Sequence, residues 1–170
     1  MSSGTTFFLA GLALIVMCVT VSAASKRPGA VWNYYHFDGR GFAAGPSPDG
    51  RPFLAVRDRC LPVVLTRMAG IKAQALPAGK GALAGICYIQ SSGGKLAGNS
   101  GYLPCPGVSL SISSGSGVVV TVPTDADGFF VAVLDAGSYT VGSGAFSSRA
   151  TVEKGTTILA PLRAGKRMVD

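Results

Sequence analysis

TDADGFFVAVLDAGSYTV, residues 124–141, decides the fold class of this chain. Asp125, Asp127 and Gly128 mark a tight turn, and Gly128 is expected to supply its positive φ. FFVAVL (129–134) follows as an unbroken apolar run, too short for a helix and rich in aromatic and β-branched residues. A strand apolar on both faces is a strand covered on both sides. Phe130, Ala132 and Leu134 then share one face. Ala136-Gly137 turns the chain again into SYTVGS, where Tyr139 can bury its ring while its hydroxyl finds a backbone carbonyl.

The same reading extends in both directions. VSLSIS (108–113) alternates strictly, with Val108, Leu110 and Ile112 on one face and serines on the other, the period of a half-buried strand. Ser114-Gly115-Ser116-Gly117 forms a hairpin turn into VVVTVP. Downstream, SSRATVE (147–153) and TTILAPLR (156–163) join at Lys154-Gly155, and upstream ALAGICYI (82–89) opens the series, followed by a long loop over 91–107. Short strands with turns every 8–12 residues describe a sandwich. The expected fold is all-β, a small antiparallel β-sandwich of transthyretin-like or Ig-like type over residues 81–163, sufficient to fold alone.

Residues 24–80 form a β-rich N-terminal block and linker before it. VWNYYHF (31–37), RPFLAVRD (51–58) and LPVVLTR (61–67) read as short strands, and 68–80 as a linker. Residues 164–170 read as a basic tail. At the other end, FFLAGLALIVMCVTVSAA (7–24) carries no charge and ends in Val21-Ser22-Ala23, a small-x-small cleavage pattern. Residues 1–23 are therefore expected to be a cleaved export signal, with the alternative of a retained membrane anchor. The protein is expected to be periplasmic, cell-surface or secreted.

In order and spacing, four motifs resemble the carboxypeptidase regulatory-like domain. They are Gly81 to Gly85, Pro106-Gly107-Val108, Thr124 to Phe130, and Leu134 to Val141. The resemblance covers residues 81–163 and implies a transthyretin-like β-sandwich that serves as a folding or interaction module without peptidase activity. Two cysteines depart from that pattern, Cys87 in the first strand and Cys105 before the Pro-Gly.

The chain carries 15 Lys and Arg against 8 Asp and Glu, a net charge of +7. A basic balance suits acidic partners, yet the cations are scattered without a run of five, which excludes a nucleic-acid footprint. His36 is the single histidine and sits in an aromatic strand, so no Ser or Cys triad can be composed convincingly. Asp125-x-Asp127-Gly128 resembles the start of a calcium loop, but position twelve is Ala136, and a turn is the better reading. No enzymatic activity, metal or cofactor is expected. Three cysteines follow the signal. In an oxidising compartment Cys87 and Cys105, flanking the long loop, are expected to form a disulfide that leaves Cys60 over. The rival pairing ties Cys60 to one of them.

The expected function is a non-enzymatic structural or protein-interaction module, contacting another extracytoplasmic protein or a cell-surface component. The alternative is binding of carbohydrate or acidic polysaccharide through Trp32, Tyr34 and Tyr35 with the basic cluster Arg51, Arg57, Arg59 and Arg67. Candidate partner-binding residues are Trp32, Tyr34, Tyr35, Arg57 and Arg59. Membrane contact is expected only with a retained N-terminal segment.

Overall fold

A computed structural model describes residues 31–68, 70–93, 101–115, 117–143 and 145–169. The expected signal segment therefore lies outside the described residues. Three β-layers stack, with one long strand at their centre. β1 (Asn33–Phe37), β2 (Phe42–Ala44), β3 (Phe53–Val56) and β4 (Val63–Leu65) make an N-terminal antiparallel sheet in the order β2-β1-β3-β4. The central layer is organised on β5 (Lys80–Gly93), flanked by β6 (Gly101–Pro104), β9 (Phe129–Asp135), β12 (Thr157–Leu159) and β13 (Leu162–Val169). β7 (Ser109–Ser114), β8 (Gly117–Pro123), β10 (Gly137–Ser143) and β11 (Phe146–Val152) form the third, in the order β11-β10-β7-β8. The all-β sandwich read from the sequence is present. Its pairings are antiparallel except where β12 and β13 run parallel to β5.

The central layer is apolar on both faces because it has a neighbour on both. Leu83, Cys87, Phe130, Ala132 and Leu134 face the third layer, meeting Leu110, Ile112, Tyr139 and Val141. Ala84, Ile86, Tyr88 and Phe129 face the N-terminal sheet, meeting Phe37, Leu54 and Val56. The double-faced reading of FFVAVL holds for Phe129 and in part for Val131, which the N-terminal block covers, while Val133 on the same face is exposed. Leu83, Ile86, Leu110, Ile112 and Leu162 have no more than 2% of their surface exposed. Each buried aliphatic side chain contributes roughly 1.5–3 kcal/mol of transfer free energy.

Gly85 lets the layers approach. A Cβ there would overlap the carbonyl oxygen of Ala160 and crowd the Phe130 ring. Ala160 in turn donates to the carbonyl of Ala84 at 2.9 Å, at the break between β12 and β13. The stretch read as one strand over 156–163 is split there, at Ala160-Pro161. The segment read as a basic tail continues as β13, since residues 165–169 find partners in 89–93. The loop expected over 91–107 contains β6, paired to β5 through Tyr88 to Ser91. At 68–80 the chain is tied back to the N-terminal block by hydrogen bonds from Leu61 to Gln74 and from Leu76 to Arg59.

Candidate functional site

Several of the side chains with chemical potential are engaged by the fold's own backbone. Asp125 accepts from the N–H groups of Asp127 (2.9 Å) and Phe129 (2.8 Å), which makes the candidate calcium loop an Asx turn ending at Gly128, φ 79°. Thr124, buried at 5% exposure, donates to the carbonyl of Cys105 at 2.6 Å and accepts from the N–H of Val108 at 2.9 Å. Tyr139 donates from its hydroxyl to the carbonyl of Asp135 at 3.0 Å, the arrangement expected for it. His36 meets the carbonyl of Gly45 through Nδ1 at 3.1 Å. Asp38 accepts from Gly41 and Arg40 at 2.8 Å each, and those two N–H groups hold its carboxyl below the usual range.

The aromatic candidates do not form one platform. Tyr35 packs towards the core between the N-terminal and central layers, whereas Tyr34 lies on the opposite face of β1, edge-on to Phe53 at 5.9 Å. Trp32 is half-buried just before β1. The aromatic cluster that does form is Phe37, Phe42, Tyr88 and Tyr102, with Phe37 4.5 Å from Tyr88 and 4.8 Å from Tyr102. Arg51 stacks over the Tyr102 ring at 5.1 Å. Tyr102 was hidden from sequence reasoning inside an expected loop.

The expected disulfide is not formed. Cys60, Cys87 and Cys105 are free, buried thiols. The two cysteines of the expected pair are neighbours all the same. The N–H of Cys105 donates to the carbonyl of Cys87 at 2.9 Å, and both side chains join the same core. Burial, and then the neighbouring Cys105 thiol, push the Cys87 pKa up to about 12.

The basic candidates also separate. Arg57 is half-buried at the end of the N-terminal sheet. Arg59 is exposed and held at φ 61°, the one non-glycine residue at positive φ among those described. It lines an open cleft of about 340 Å³ with Leu76, Pro77, Gly79, Lys80 and Lys154. Three turns build this cleft, stitched by hydrogen bonds from Arg59 N–H to Gly155 carbonyl (2.7 Å), Gly155 N–H to Lys80 carbonyl (2.8 Å) and Leu76 N–H to Arg59 carbonyl (2.9 Å). Lys80 pairs with Asp135 at 2.8 Å. No group of three His, Cys, Asp or Glu suited to a metal occurs among the described residues. Nor is any helix among them long and apolar enough to cross a membrane.

No family model matches the chain, and no curated protein matches it. Among solved structures it is similar to a minor pilin of the Gram-positive pathogen Streptococcus agalactiae, with a TM-score of 0.40 and 15% identity over 76% of this chain. The match spans 66% of the pilin chain.

Proposed function

We propose that this protein is an exported, non-enzymatic interaction module, a sandwich of the carboxypeptidase regulatory-like type that docks on another extracytoplasmic protein or a cell-surface component. One observation carries the reading. The polar motif residues Thr124, Asp125 and Tyr139 all direct their side chains to the chain's own backbone. They make rigid turns, and none of the three is held as a nucleophile or base. His36, the sole imidazole, serves a backbone carbonyl in the same way. Surfaces and turns remain as the means of action. Carbohydrate stacking on Trp32, Tyr34 and Tyr35 is disfavoured, because Tyr34 and Tyr35 face opposite sides of β1.

Within that reading Cys87 and Cys105 close a disulfide in the exported protein, because an oxidising compartment acts on two cysteines whose backbones are hydrogen-bonded and whose side chains share one core. Cross-linking in intact cells, followed by identification of what is captured, tests the function. A stoichiometric extracytoplasmic partner is the expected result. Recovery of the whole pool from the cytoplasm, with its N-terminus at Met1, would overturn it.

A further inference from the structure

We infer that the cleft between the three stitched turns is a docking site for an acidic segment of a partner protein, with Arg59 and Lys154 as its carboxylate-binding groups. This rests on the interaction reading above. Arg59, Lys80 and Lys154 come from three distant parts of the sequence and converge on one cavity. Only Lys80 has an acidic partner, Asp135, and neither Arg59 nor Lys154 is ion-paired among the described residues. Two cations without a counter-charge of their own, beside a third that is paired, raise the local potential, and an incoming anion lowers it.

The cleft is also pre-organised. Its floor is fixed by backbone hydrogen bonds between the three turns, and the stem of Arg59 lies over Gly155, where an added Cβ would stand 3.4 Å from its Cγ. Residue 59 pays a conformational penalty to be there. A left-handed backbone at a non-glycine residue costs on the order of 1 kcal/mol or more and persists at sites where geometry matters. Glycine would adopt the same turn freely, so the arginine side chain is what the strained position presents. The floor's N–H groups are already bonded to carbonyls, which leaves side chains to do the binding. Arg59 offers a planar fork to a carboxylate and Lys154 a point charge beside it.

The occupant's class follows from the rest of the lining. Leu76, Pro77 and Ala78 give an apolar rim, and no aromatic ring lines the cleft among the described residues. Sugar rings are usually held by stacking on aromatic faces, so a uronate fits less well than a peptide that carries Glu or Asp beside small apolar residues.

The test uses the full mature chain with three probes: a blocked tetraglutamate peptide, trigalacturonate and inorganic sulfate. Binding is followed by amide and arginine Nε–H chemical shifts. The peptide is expected to shift Arg59, Lys154 and Gly155 saturably, with affinity falling about tenfold in Arg59→Gly and in Lys154→Gln. Arg59→Gly should keep or raise the melting temperature, since it relieves the backbone at that residue. Its loss of binding then cannot be ascribed to unfolding, and Lys154→Gln gives an independent check. Equal affinity in both variants would overturn the site. So would shifts centred on Arg163 and Lys166, sulfate binding as tightly as the peptide, or preference for trigalacturonate. If Arg59→Gly still captures the same partner in cells, the cleft is wrong while the interaction role stands.

Discussion

Cys105 and Cys87 lie opposite one another, the N–H of the first bonded to the carbonyl of the second at 2.9 Å, with both thiols buried on one face of the central layer. Peptide mapping without reductant, on protein taken from its native compartment, should recover these two joined and Cys60 free. A fragment linking Cys60 to either one would reverse the assignment, and three free thiols would abolish it. On the chain-entropy model the closed loop would stabilise the fold by about 3 kcal/mol.

The reduced protein should be alkali-sensitive. Cys87 has its pKa pushed from 9.0 up to about 12 by burial, then by contact with Cys105. Below pH 9 both folded and unfolded chains keep the proton, and the contribution is intact. Between pH 9 and 12 the unfolded chain releases a proton that the folded chain retains, so stability falls. Denaturant melts across that range should show a decline that Cys87→Ala removes. A thiol held neutral also reacts slowly with alkylating reagents at pH 8 until the protein unfolds.

The fragment 80–170 should not behave as an independent domain, contrary to what its strand pattern suggests. Without the N-terminal sheet, Ala84, Ile86, Tyr88 and Phe129 lose Phe37, Leu54 and Val56 as neighbours. A broad melt or aggregation is expected for the fragment, beside a sharp transition for residues 24–170. In the intact chain Ile86→Ala should cost about 2–5 kcal/mol.

Thr124→Val keeps the shape and removes the hydroxyl. It would leave the Cys105 carbonyl and the Val108 N–H without their buried partner, at a cost of about 1–3 kcal/mol. Urea unfolding should show a lower midpoint with an unchanged slope. No loss would mean that water replaces the hydroxyl.

Gly85→Ala should be among the most damaging small substitutions. The added methyl collides with the Ala160 backbone, which is anchored to Ala84 and cannot yield as a flexible side chain would. Soluble yield and circular dichroism are the measurements, and a variant that folds normally would refute the close approach.

How much of this was legible depended on how local the signal was. The Ser/Leu/Ile alternation of β7, the two-sided apolar run of β9 and the Asp-Gly turn at 128 are read within a few residues, and each is as expected. β6 was missed because Gly101–Pro104 offers one aromatic, one leucine and a proline; its pairing with β5 defines it. β13 was missed because its Lys and Arg read as a tail, whereas parallel pairing with β5 is a long-range contact without local pattern. Of the binding candidates, Arg59 was named from charge alone. Its backbone conformation, and its meeting with Lys80 and Lys154, depend on three separate turns and leave no mark in the sequence.

The parallel partners of β5 have a temporal meaning. β5 is complete at Gly93, but the strands that close one of its edges begin only at Thr157. Emerging N-terminus first, the chain must carry a 14-residue strand, apolar over 82–89, with one edge open while everything up to β12 is still being made. Non-local pairing of this kind is slow and prone to wrong partners. A factor that masks the nascent edge, or a pause that delays compaction until the last strand arrives, would favour the finished sheet over those wrong partners.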